Sequence, residues 1–532
     1  MCLLADEARS FKTEQLALCV RYATTSLCIV ERFVGFIDCS NASNADGLAE
    51  CILKGLDTAG FNGIPVIAQA YDGASVMSGK ENGVQKKVRE VHPAAVYMHC
   101  MAHRLNLVVV QSCKITRHAA SFFDVLESLY TFFARPNNHK VFMDTRDLIG
   151  LKSLSKLELT QQSETRWSCR WRNVNTVKRL FTTIKSCLGE LSVPGNGCFV
   201  QAQCLLHQLQ KYEFLVCLAV FDSVLSIIQV LHKVLQKVDA TIATASNVID
   251  NTLATLEEMR SSDKHWHDIW QTVVTLMEGQ AVNNSVSSAD HTSDAGTLRT
   301  PAASRRPRKV PRMDDFVVIS TCGQRSDIVQ DNVGHAGVGD TSEVWRKQLY
   351  VPVVESLVGE LKRRFVDPHG TTLAKSVTAA LKLNCDGVDN LLETYGHLIR
   401  IDADLAKAEI KLARRSLGTN HADKSPGCSD DVTYDTLVNL SACSAELKNY
   451  PNAFKLLQLA VTLLVSSATC ERAFSAMRRV KNYLRTTMGQ PRFSALSMLE
   501  IESELAAEID LDKVVDEFSS GATVPRKMKL II

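Results

Sequence analysis

The chain has 532 residues, of which 45% are hydrophobic and 22% are charged. This balance is typical of a soluble globular protein with two or more domains, and it argues against a disordered chain. The formal net charge is only +2, so a nucleic-acid surface would have to be a local basic patch.

The 17 cysteines are scattered singly, and no CxxC pair occurs among them. The first residues, MCLLAD, lack both the basic flank and the apolar length of a secretory signal. We therefore expect free, mostly buried thiols in a reducing cytosol or nucleus.

Three strands are predicted at the start of the chain. Apolar runs separated by short polar connections place them at residues 2–5, 15–22 and 27–38, and we expect them to be antiparallel. A helical pattern follows over residues 44–59 and ends at Gly60, which is a typical residue for the end of a helix.

The next elements alternate between strand and helix. Apolar runs predict strands at 65–70 and 95–99, a helix at 83–90 between them, and another helix from about Ala102. A strand that follows a helix after three antiparallel strands should lie parallel to the first strand. The order of three strands, helix, strand, helix, strand and helix is that of an RNase H-like α/β domain.

The remainder of the chain has a mainly helical pattern. The most apolar stretch, residues 214–235, is interrupted by four polar residues at roughly helical spacing: Asp222, Ser226, Gln229 and His232. We interpret it as a buried amphipathic helix and not a membrane span. Residues 281–345 are rich in Ser, Thr, Asp, Gly and Asn, and their basic run at 305–312 is either a nuclear localisation signal or a plain basic loop.

Two aspartates follow strands that are neighbours in the predicted sheet. Asp6 ends the first strand and Asp72 ends the fourth, so both carboxylates would emerge at one sheet edge, within reach of one divalent ion. With a third acid, two metal ions about 4 Å apart could support an in-line phosphoryl displacement. Taken alone, each aspartate is more often a turn or helix-cap residue.

Five segments, in order along the chain, carry a family resemblance. They are LADE at 4–7, residues 14–22, residues 71–85, residues 99–107, and SSATCERAFS at 466–475, which continues through 484–489. Together they resemble the catalytic core and C-terminal dimerisation segment of hAT-superfamily DNA transposases, in the branch of MYM-type zinc-finger protein 1. The resemblance implies a transposase or a domesticated derivative, with an RNase H-like sheet interrupted by a large all-α insertion.

The resemblance also implies an acidic triad of Asp6, Asp72 and Glu471, which would bind Mg²⁺ or Mn²⁺. Glu471 lies in the first turns of a predicted helix whose apolar residues would face the core: Ala473, Phe474, Met477, Val480 and Leu484. An acid at that place is also a common partner of the helix dipole.

Further residues are candidates for DNA contact. Cys100 and His103 have the spacing of half a zinc site, but no second pair accompanies them, and the resemblance implies a structural or DNA-contacting role. Arg166 and Trp167 resemble the motif of the family's inserted domain, where an aromatic ring stacks on an exposed base. The alternative is that Trp167 and Trp171, four residues apart, are core residues of one helix.

Several cations follow Glu471 along its predicted helix. They would hold phosphates near the metal ions, or they form a merely solvated face: Arg472, Arg478, Arg479, Lys481 and Arg485. The apolar faces of 452–464 and 494–505 belong either to the core or to a subunit interface, and the resemblance assigns part of them to the interface.

The resemblance divides the chain into six parts. They are the N-terminal part of the RNase H-like core, 1–120; a helical insertion domain in two parts, 121–280 and 346–430; a flexible polar and basic linker between them, 281–345; closing helices with the hAT dimerisation region, 431–515; and a tail, 516–532. Family members usually carry a zinc finger before the first strand, whereas this chain begins at that strand, so we expect a truncated product.

Two functions follow as expectations. The first is a nuclear, transposase-derived protein that binds DNA, forms a dimer or higher oligomer through its C-terminal region, and cleaves and joins DNA with its metal-bound triad. The second is a catalytically inactive, domesticated dimer that regulates through DNA or protein binding.

Overall fold

A mixed β-sheet organises the N-terminal part of the chain. The computed structural model describes residues 1–42, 44–148, 157–161, 168–286, 338–366, 368–420 and 434–520. Within these ranges the strands are β1 (Cys2–Ser10), β2 (Thr13–Ala23), β3 (Ile29–Asp38), β4 (Ala68–Tyr71) and β5 (Val96–His99). They form one sheet in the order β3-β2-β1-β4-β5.

The pairing of the strands agrees with the sequence prediction. β1, β2 and β3 are antiparallel, and β4 lies parallel to β1, with Leu4 opposite Ala70. β5 continues the sheet parallel to β4. The order of strands and helices was therefore readable from the alternation of apolar runs with turn residues.

The prediction that Asp6 ends the first strand is wrong. β1 continues to Ser10, because its residues remain paired with β2 up to the tight turn, where Ser10 faces Thr13. The second half of β1 carries mostly polar side chains, so it lacks the apolar run from which a strand is predicted. The pairing of β1 with β4, however, stops at Leu4, so Asp6 still lies where the parallel part of the sheet ends.

Short helices connect and cover the strands. They are α1 (Ala45–Thr58), α2 (Ser75–Ser78), α3 (Val84–Val91) and α4 (Met101–Ser112). The Asn44 side chain caps α1 by accepting a hydrogen bond from the Gly47 amide. At the other end of α1 Gly60 takes a left-handed conformation (φ +80°), and the amide of Phe61 donates to the Leu56 carbonyl. This Schellman-type end confirms the helix predicted to stop at Gly60.

The two faces of the sheet bury different layers. On one face, odd-numbered residues of β1 such as Leu3 pack with apolar residues of α1 and α3, including Ile52 and Val88. On the other face, even-numbered residues such as Leu4 join the main core, together with α4 and the C-terminal helices. Alternation along the strands thus decides which layer each residue meets.

The middle of the chain is helical where the structure describes it. Its helices are α5 (Arg117–Phe133), α6 (Pro136–Leu148), α7 (Ser168–Arg179), α8 (Phe181–Leu191), α9 (Phe199–Gln210), α10 (Tyr212–Leu235), α11 (Ile242–Ser261), α12 (Asp263–Val286), α13 (Val338–Trp345), α14 (Val351–Phe365), α15 (Pro368–Leu381), α16 (Asp389–Tyr395) and α17 (Ala403–Asn420). A π-helical turn, Arg346–Tyr350, joins α13 to α14. The predicted linker is helical at both ends, while residues 287–337, with the basic run at 305–312, lie outside the described residues.

Helix α10 is the centre of this region. It contacts α5, α7, α9, α11 and α12. Among the described residues it is the one helix long and apolar enough to cross a membrane by length and composition, yet 72% of its most apolar window is buried in the protein. Two of its polar residues have partners in the protein, since Asp222 binds the Lys178 ammonium at 2.6 Å and the Ser226 hydroxyl donates to the Asp222 carbonyl. These features are those of the buried core helix that was predicted.

The C-terminal helices return to the sheet. They are α18 (Tyr434–Ala442), α19 (Ser444–Leu447), α20 (Pro451–Thr462), α21 (Ala468–Val480), α22 (Gln490–Ile501), α23 (Ser503–Ala507) and α24 (Leu511–Ser520). The ring of Phe36 on β3 stacks on Phe474 of α21 and Phe493 of α22, with centroids 5.9 and 5.2 Å apart. This aromatic cluster fastens the last part of the chain to the edge strand β3.

Four of the five residues predicted to face the core from the helix of Glu471 do so. Ala473, Phe474, Met477 and Val480 are buried. The fifth prediction is wrong, since Leu484 is 76% exposed. The reason is that α21 ends at Val480 and Leu484 lies in the separate 3-10 turn Tyr483–Arg485, so helical periodicity no longer applies to it.

Candidate acidic site and its surroundings

Two of the predicted acids lie level with each other on adjacent strands. Leu4 pairs with Ala70, and Asp6 and Asp72 each stand two residues further along, so they occupy equivalent positions on the same face of the sheet. The Asp6 carboxylate accepts a hydrogen bond from the amide of Glu7 at 3.1 Å, and that of Asp72 from the amide of Ala74 at 3.1 Å. Asp72 therefore also forms the local turn contact that was the simpler alternative.

The third acid approaches from the C-terminal helices. Glu471 lies in the first turn of α21, and α21 packs on the face of the sheet that carries Leu4 and Ala70. The pKa of Asp6 is raised to about 8 by burial first, and then by the negative charges of Glu471 and Asp72. The Asp6 carboxyl thus lies close enough to Asp72 and Glu471 for their charges to affect it, and we call these three residues the acidic rim.

The acidic rim has the right donors for a hard divalent cation, since all three side chains offer carboxylate oxygens. The pKa of Asp6 is raised by burial and by nearby negative charge, and a bound cation would act in the opposite direction. In the described part of the chain, however, no three His, Cys, Asp or Glu side chains stand close enough to hold one metal ion. The donor chemistry therefore fits Mg²⁺ or Mn²⁺, but the three carboxylates do not lie close enough together to coordinate one ion.

A fourth carboxylate belongs to the same neighbourhood and was not predicted. Glu7 and the two aspartates line an open cleft of about 310 Å³, with Leu48 of α1 and Met77 of α2 on its walls. The pKa of Glu7 is raised by burial first and then by the charge of Asp72. Its position in the LADE motif was the available signal, but no role had been assigned to it.

Cys100 joins the sheet to α21. Its side chain is buried, its Sγ accepts a hydrogen bond from the Ser467 amide at 3.3 Å, and its own amide donates to the Tyr71 carbonyl at 3.0 Å. Because Tyr71 precedes Asp72 and Ser467 precedes α21, Cys100 connects the two chain segments that carry acids. His103, half-buried one turn later, has its ring 5.8 Å from that of His99.

Comparison with known families agrees with this arrangement. Residues 1–83 match a family described as the ZMYM1/FAM200 RNase-like domain. Residues 437–505, which include α20, α21 and α22, match the hAT family C-terminal dimerisation region. The chain is thus similar to hAT-family proteins in its C-terminal part.

Curated relatives extend this relationship over most of the chain. The human and mouse proteins named "52 kDa repressor of the inhibitor of the protein kinase" are 23% and 24% identical to it over 538 and 536 residues. In both cases the alignment covers 96% of this chain but 63% of the relative. The chain thus spans less than two thirds of the length of these curated relatives.

The segment that matches the hAT dimerisation region also packs against the sheet. Glu502, which follows α22, accepts hydrogen bonds from the amide of Phe33 at 2.7 Å and from the guanidinium of Arg32 at 3.0 Å. Gln490 and Ser494 of α22 both donate to the carbonyl of Phe36. These contacts cover the edge strand β3, which would otherwise expose unpaired backbone groups.

The cations near Glu471 differ in availability. Arg472 donates to the Gln236 carbonyl at 2.9 Å and to the Thr469 hydroxyl at 2.6 Å, and Arg479 binds Glu500 at 2.8 Å. Lys481 is buried and lies 5.2 Å above the ring of Phe493, which contradicts both alternatives predicted for it, a phosphate contact and a solvated face. The reason is that α21 ends at Val480, so the helical pattern no longer applies to Lys481. Arg478 and Arg485 remain exposed.

The predicted aromatic stacking site, Arg166 and Trp167, lies outside the described residues. Trp171 is partly buried on α7, packs against the main core, and donates from Nε1 to the Ser226 hydroxyl at 3.4 Å. For Trp171 the interpretation as a core residue is therefore confirmed.

Arg21 on β2 is a buried arginine that was not predicted from the sequence. Arg21 on β2 is 1% exposed and pairs with Glu31 on β3 at 3.0 Å. Its guanidinium also donates to four backbone carbonyls, those of Val238, Ala240, Val461 and Thr462. The other carboxylate oxygen of Glu31 contacts Thr469 and lies 3.6 Å from Arg472. We call these contacts the Arg21 network.

Proposed function

We propose that this chain is a transposase-derived nuclear protein that acts on DNA through an Asp/Asp/Glu triad in an RNase H-like fold. The observation that carries the proposal is the acidic rim, where the charges of Glu471 on α21 and of Asp72 after β4 add to burial in raising the pKa of Asp6 on β1. The strand order, with β4 and β5 parallel to β1, supports the RNase H-like assignment.

Each part of the site has a role in this proposal. Asp6 and Asp72 would hold Mg²⁺ or Mn²⁺ from adjacent strands, and Glu471 would complete the ligand set from α21. When bound, such ions lower the pKa of an attacking hydroxyl and stabilise the leaving oxygen. Exposed Arg478 and half-buried His103 stand on the helices that flank the rim, where their side chains can orient phosphates.

Replacing Asp72 with alanine is expected to abolish metal-dependent DNA cleavage. With Mn²⁺ and a labelled duplex taken from the sequence that flanks the gene, the unaltered chain should release cut strands. Asp72→Ala should cut at least about 100-fold more slowly, because a carboxylate that holds the ion is lost. Asp57→Ala, which removes an exposed acid on α1, is the control. Equal background cutting by the unaltered chain and Asp72→Ala would remove the enzymatic proposal.

A second candidate function is a catalytically inactive regulator that binds DNA or protein as a dimer. It is favoured by the printed name of the human and mouse relatives, which describes a repressor. Under this alternative the acidic rim is a remnant, Asp72→Ala changes no measured property on DNA, and dimerisation remains. The cleavage assay therefore separates the two candidates.

Dimerisation belongs to both candidates, and the structure suggests a surface for it. The apolar residues of α20, such as Leu456 and Leu457, are buried, so this helix belongs to the core. The last helices instead leave apolar side chains in solvent: Leu499, Leu505, Ile509, Leu511 and Val514. Leu511 is 72% exposed. Exposed apolar residues that form a contiguous patch are typical of subunit interfaces, and we infer that these residues contribute to one.

We expect the chain to be a dimer with twice the monomer mass in light scattering at micromolar concentration. The double variant Leu505→Glu/Leu511→Glu should shift it to a monomer, because charges would be buried in the interface. Val230→Glu, at an exposed valine on α10, should leave the mass unchanged. A monomeric unaltered chain would contradict the prediction.

A further inference from the structure

The start of α21 is held by hydrogen bonds that end on one carboxylate of the sheet. The Thr469 hydroxyl donates to Oε2 of Glu31 and accepts from the Arg472 guanidinium at 2.6 Å. The Arg472 guanidinium also lies 3.6 Å from the same Glu31 oxygen. Thr469 and Arg472 are three residues apart, so they share one face of the helix. Glu31 therefore contacts two residues of one face near the start of α21.

Glu31 is itself fixed from the sheet. Its side chain is 6% exposed, and its Oε1 atom accepts a hydrogen bond from the Arg21 guanidinium at 3.0 Å. The two residues are directly paired on β2 and β3. Arg21 donates to four backbone carbonyls as well, so neither side chain can rotate without breaking hydrogen bonds. The Glu31 carboxylate is thus a fixed point on β3 for the helix packed on the sheet.

The face that Glu31 holds lies opposite the acid of α21. Successive residues of a helix are about 100° apart around its axis, so Glu471 stands about 200° from Thr469. Three buried residues fill the arc between them and pack into the core: Cys470, Ala473 and Phe474. Thr469 and Glu471 therefore mark the two edges of the buried face. A rotation of α21 that broke the contacts of Thr469 would also move Glu471.

These two edges of α21 meet different strands. The helix contacts β1, β2 and β3. Thr469 is bound to Glu31 on β3, whereas the charge of Glu471 acts on Asp6 on β1. The helix thus links a fixed carboxylate on one strand to the acidic rim on another.

We propose that Glu31 is the positioning residue for Glu471, because its contacts with Thr469 and Arg472 set the rotation of α21. The inference rests on the proposed function, in which Glu471 completes the ligand set of Asp6 and Asp72. In this role Glu31 contacts neither the ion nor DNA. The alternative is that Glu31 serves solely as the counter-charge of Arg21.

Thr469→Val tests the proposal on the full chain, because it removes the hydroxyl and leaves the Arg21–Glu31 ion pair in place. The affinity for Mn²⁺, followed by its electron paramagnetic resonance signal at pH 8, should fall about tenfold. Thr469→Ser keeps the hydroxyl and should bind like the unaltered chain. So should the matched control Thr58→Val, which removes a hydroxyl of α1 that donates to the Lys54 carbonyl. An unchanged affinity of Thr469→Val would contradict the proposal.

A double variant separates positioning from a general loss of stability. If Thr469 acts through Glu471, Thr469→Val should cause no further loss of Mn²⁺ affinity in a chain that already carries Glu471→Gln. A tenfold loss that is repeated in the Glu471→Gln background would mean that Thr469 acts by another route, and the proposal would be wrong.

Melting curves without metal give a readout that depends on neither metal binding nor cleavage. In Thr469→Val the charge of Glu471 should lie further from Asp6, so the pKa of Asp6 should fall. The loss of stability linked to Asp6 should then move to lower pH by about half a unit. A melting temperature lowered equally at every pH would indicate a purely structural role and overturn the proposal.

This readout also separates the proposal from the proposed function. A shifted pH profile in a chain that neither binds Mn²⁺ nor cleaves DNA would refute the proposed chemistry and support the role of Glu31. Cleavage that is lost in Asp72→Ala, with Thr469→Val unaltered in both Mn²⁺ affinity and pH profile, would support the chemistry and refute the role of Glu31.

Discussion

Replacing Arg21 with alanine is expected to lower the free energy of unfolding by about 3–5 kcal/mol. The side chain is 1% exposed and its partner Glu31 is also buried. Alanine would remove the close cation of the Glu31 carboxylate and leave Arg472, 3.6 Å away, as a remaining ionic partner. Four backbone carbonyls would lose the guanidinium that donates to them. Removal of one partner of a buried ion pair is among the most destabilising single changes in a protein.

The size of this effect follows from how completely the guanidinium is used. Arginine has five N–H donors, and the five hydrogen bonds of Arg21 have donor–acceptor distances between 2.7 and 3.1 Å. The acceptors come from β3, from the segment after α10 and from the end of α20. One side chain thus ties the sheet to the helical region and to the C-terminal helices. Lysine has three donors on a single nitrogen and cannot replace this geometry.

Urea unfolding followed by circular dichroism measures the prediction. Arg9→Ala is the matched control, because Arg9 lies on neighbouring β1 with a side chain 74% exposed, 3.7 Å from a partly exposed Glu14. Its loss should change stability by less than about 1 kcal/mol. Arg21→Lys should fall between the two. Similar unfolding midpoints for Arg21→Ala and Arg9→Ala would show that the network does not stabilise the fold.

Arg21 also makes a kind of contact that local sequence patterns do not predict. In the sequence it is one charged residue in an apolar run, and the natural expectation is an exposed side chain. Its acceptors at 238, 240, 461 and 462 are backbone carbonyls. Every residue has such a carbonyl, so the sequence does not indicate which ones accept from Arg21. Their approach depends on how helices more than 200 residues away pack on the sheet. Local patterns predict elements, but they do not predict such long-range hydrogen bonds.

The sheet, in contrast, was readable from local pattern. Its strands are runs of alternating or wholly apolar residues, its first helix ends at Gly60, and the parallel placement of β4 follows from connection rules. The wrong predictions concern residues whose environment in the fold differs from the one that their residue type suggests. The polar half of β1 beyond Asp6 is held by pairing with β2 and not by burial, and Lys481 is buried on Phe493 although lysine is usually exposed.

The acidic rim was partly predictable for a different reason. The sequence pattern implies that the strands of Asp6 and Asp72 are neighbours, while their level positions follow from the pairing of Leu4 with Ala70, which the structure shows. Glu471 is separated from Asp72 by almost 400 residues, and family resemblance alone linked it to them. The position of Glu471 near the two aspartates depends on the C-terminal helices. These are held on the sheet by the stacked rings of Phe36, Phe474 and Phe493 and by the Arg21 network. The residues Thr469 and Arg472, on either side of Glu471, both contact Glu31 of that network.

Because the rim concentrates negative charge, stability and metal binding should both depend on the protonation of Asp6. Its pKa is raised from 3.8 to about 8 in the folded chain. Between these two values the folded chain keeps a proton that the unfolded chain releases, so this contribution to stability is complete below about pH 4. It is lost as the pH rises through 8. Without metal, the melting temperature should fall between pH 6 and pH 9.

Asp6→Asn removes this dependence, because the amide is neutral throughout. The variant should melt a few degrees above the unaltered chain at pH 9 without metal, and the difference should shrink toward pH 6. Differential scanning fluorimetry in matched buffers measures it, with Asp57→Asn, at an exposed acid of α1, as the control. A difference that stays constant from pH 6 to pH 9 would show that Asp6 does not titrate in this range.

Metal binding should show the opposite trend, because a cation binds the carboxylate only after its proton has left. Titration with Mn²⁺, followed by its electron paramagnetic resonance signal, should give an affinity that rises by up to about tenfold per pH unit below pH 8. Asp6→Asn should bind weakly and without this dependence. A pH-independent affinity of the unaltered chain would mean that Mn²⁺ binds elsewhere, and the shared negative charge of Asp6, Asp72 and Glu471 would then have no role in holding it.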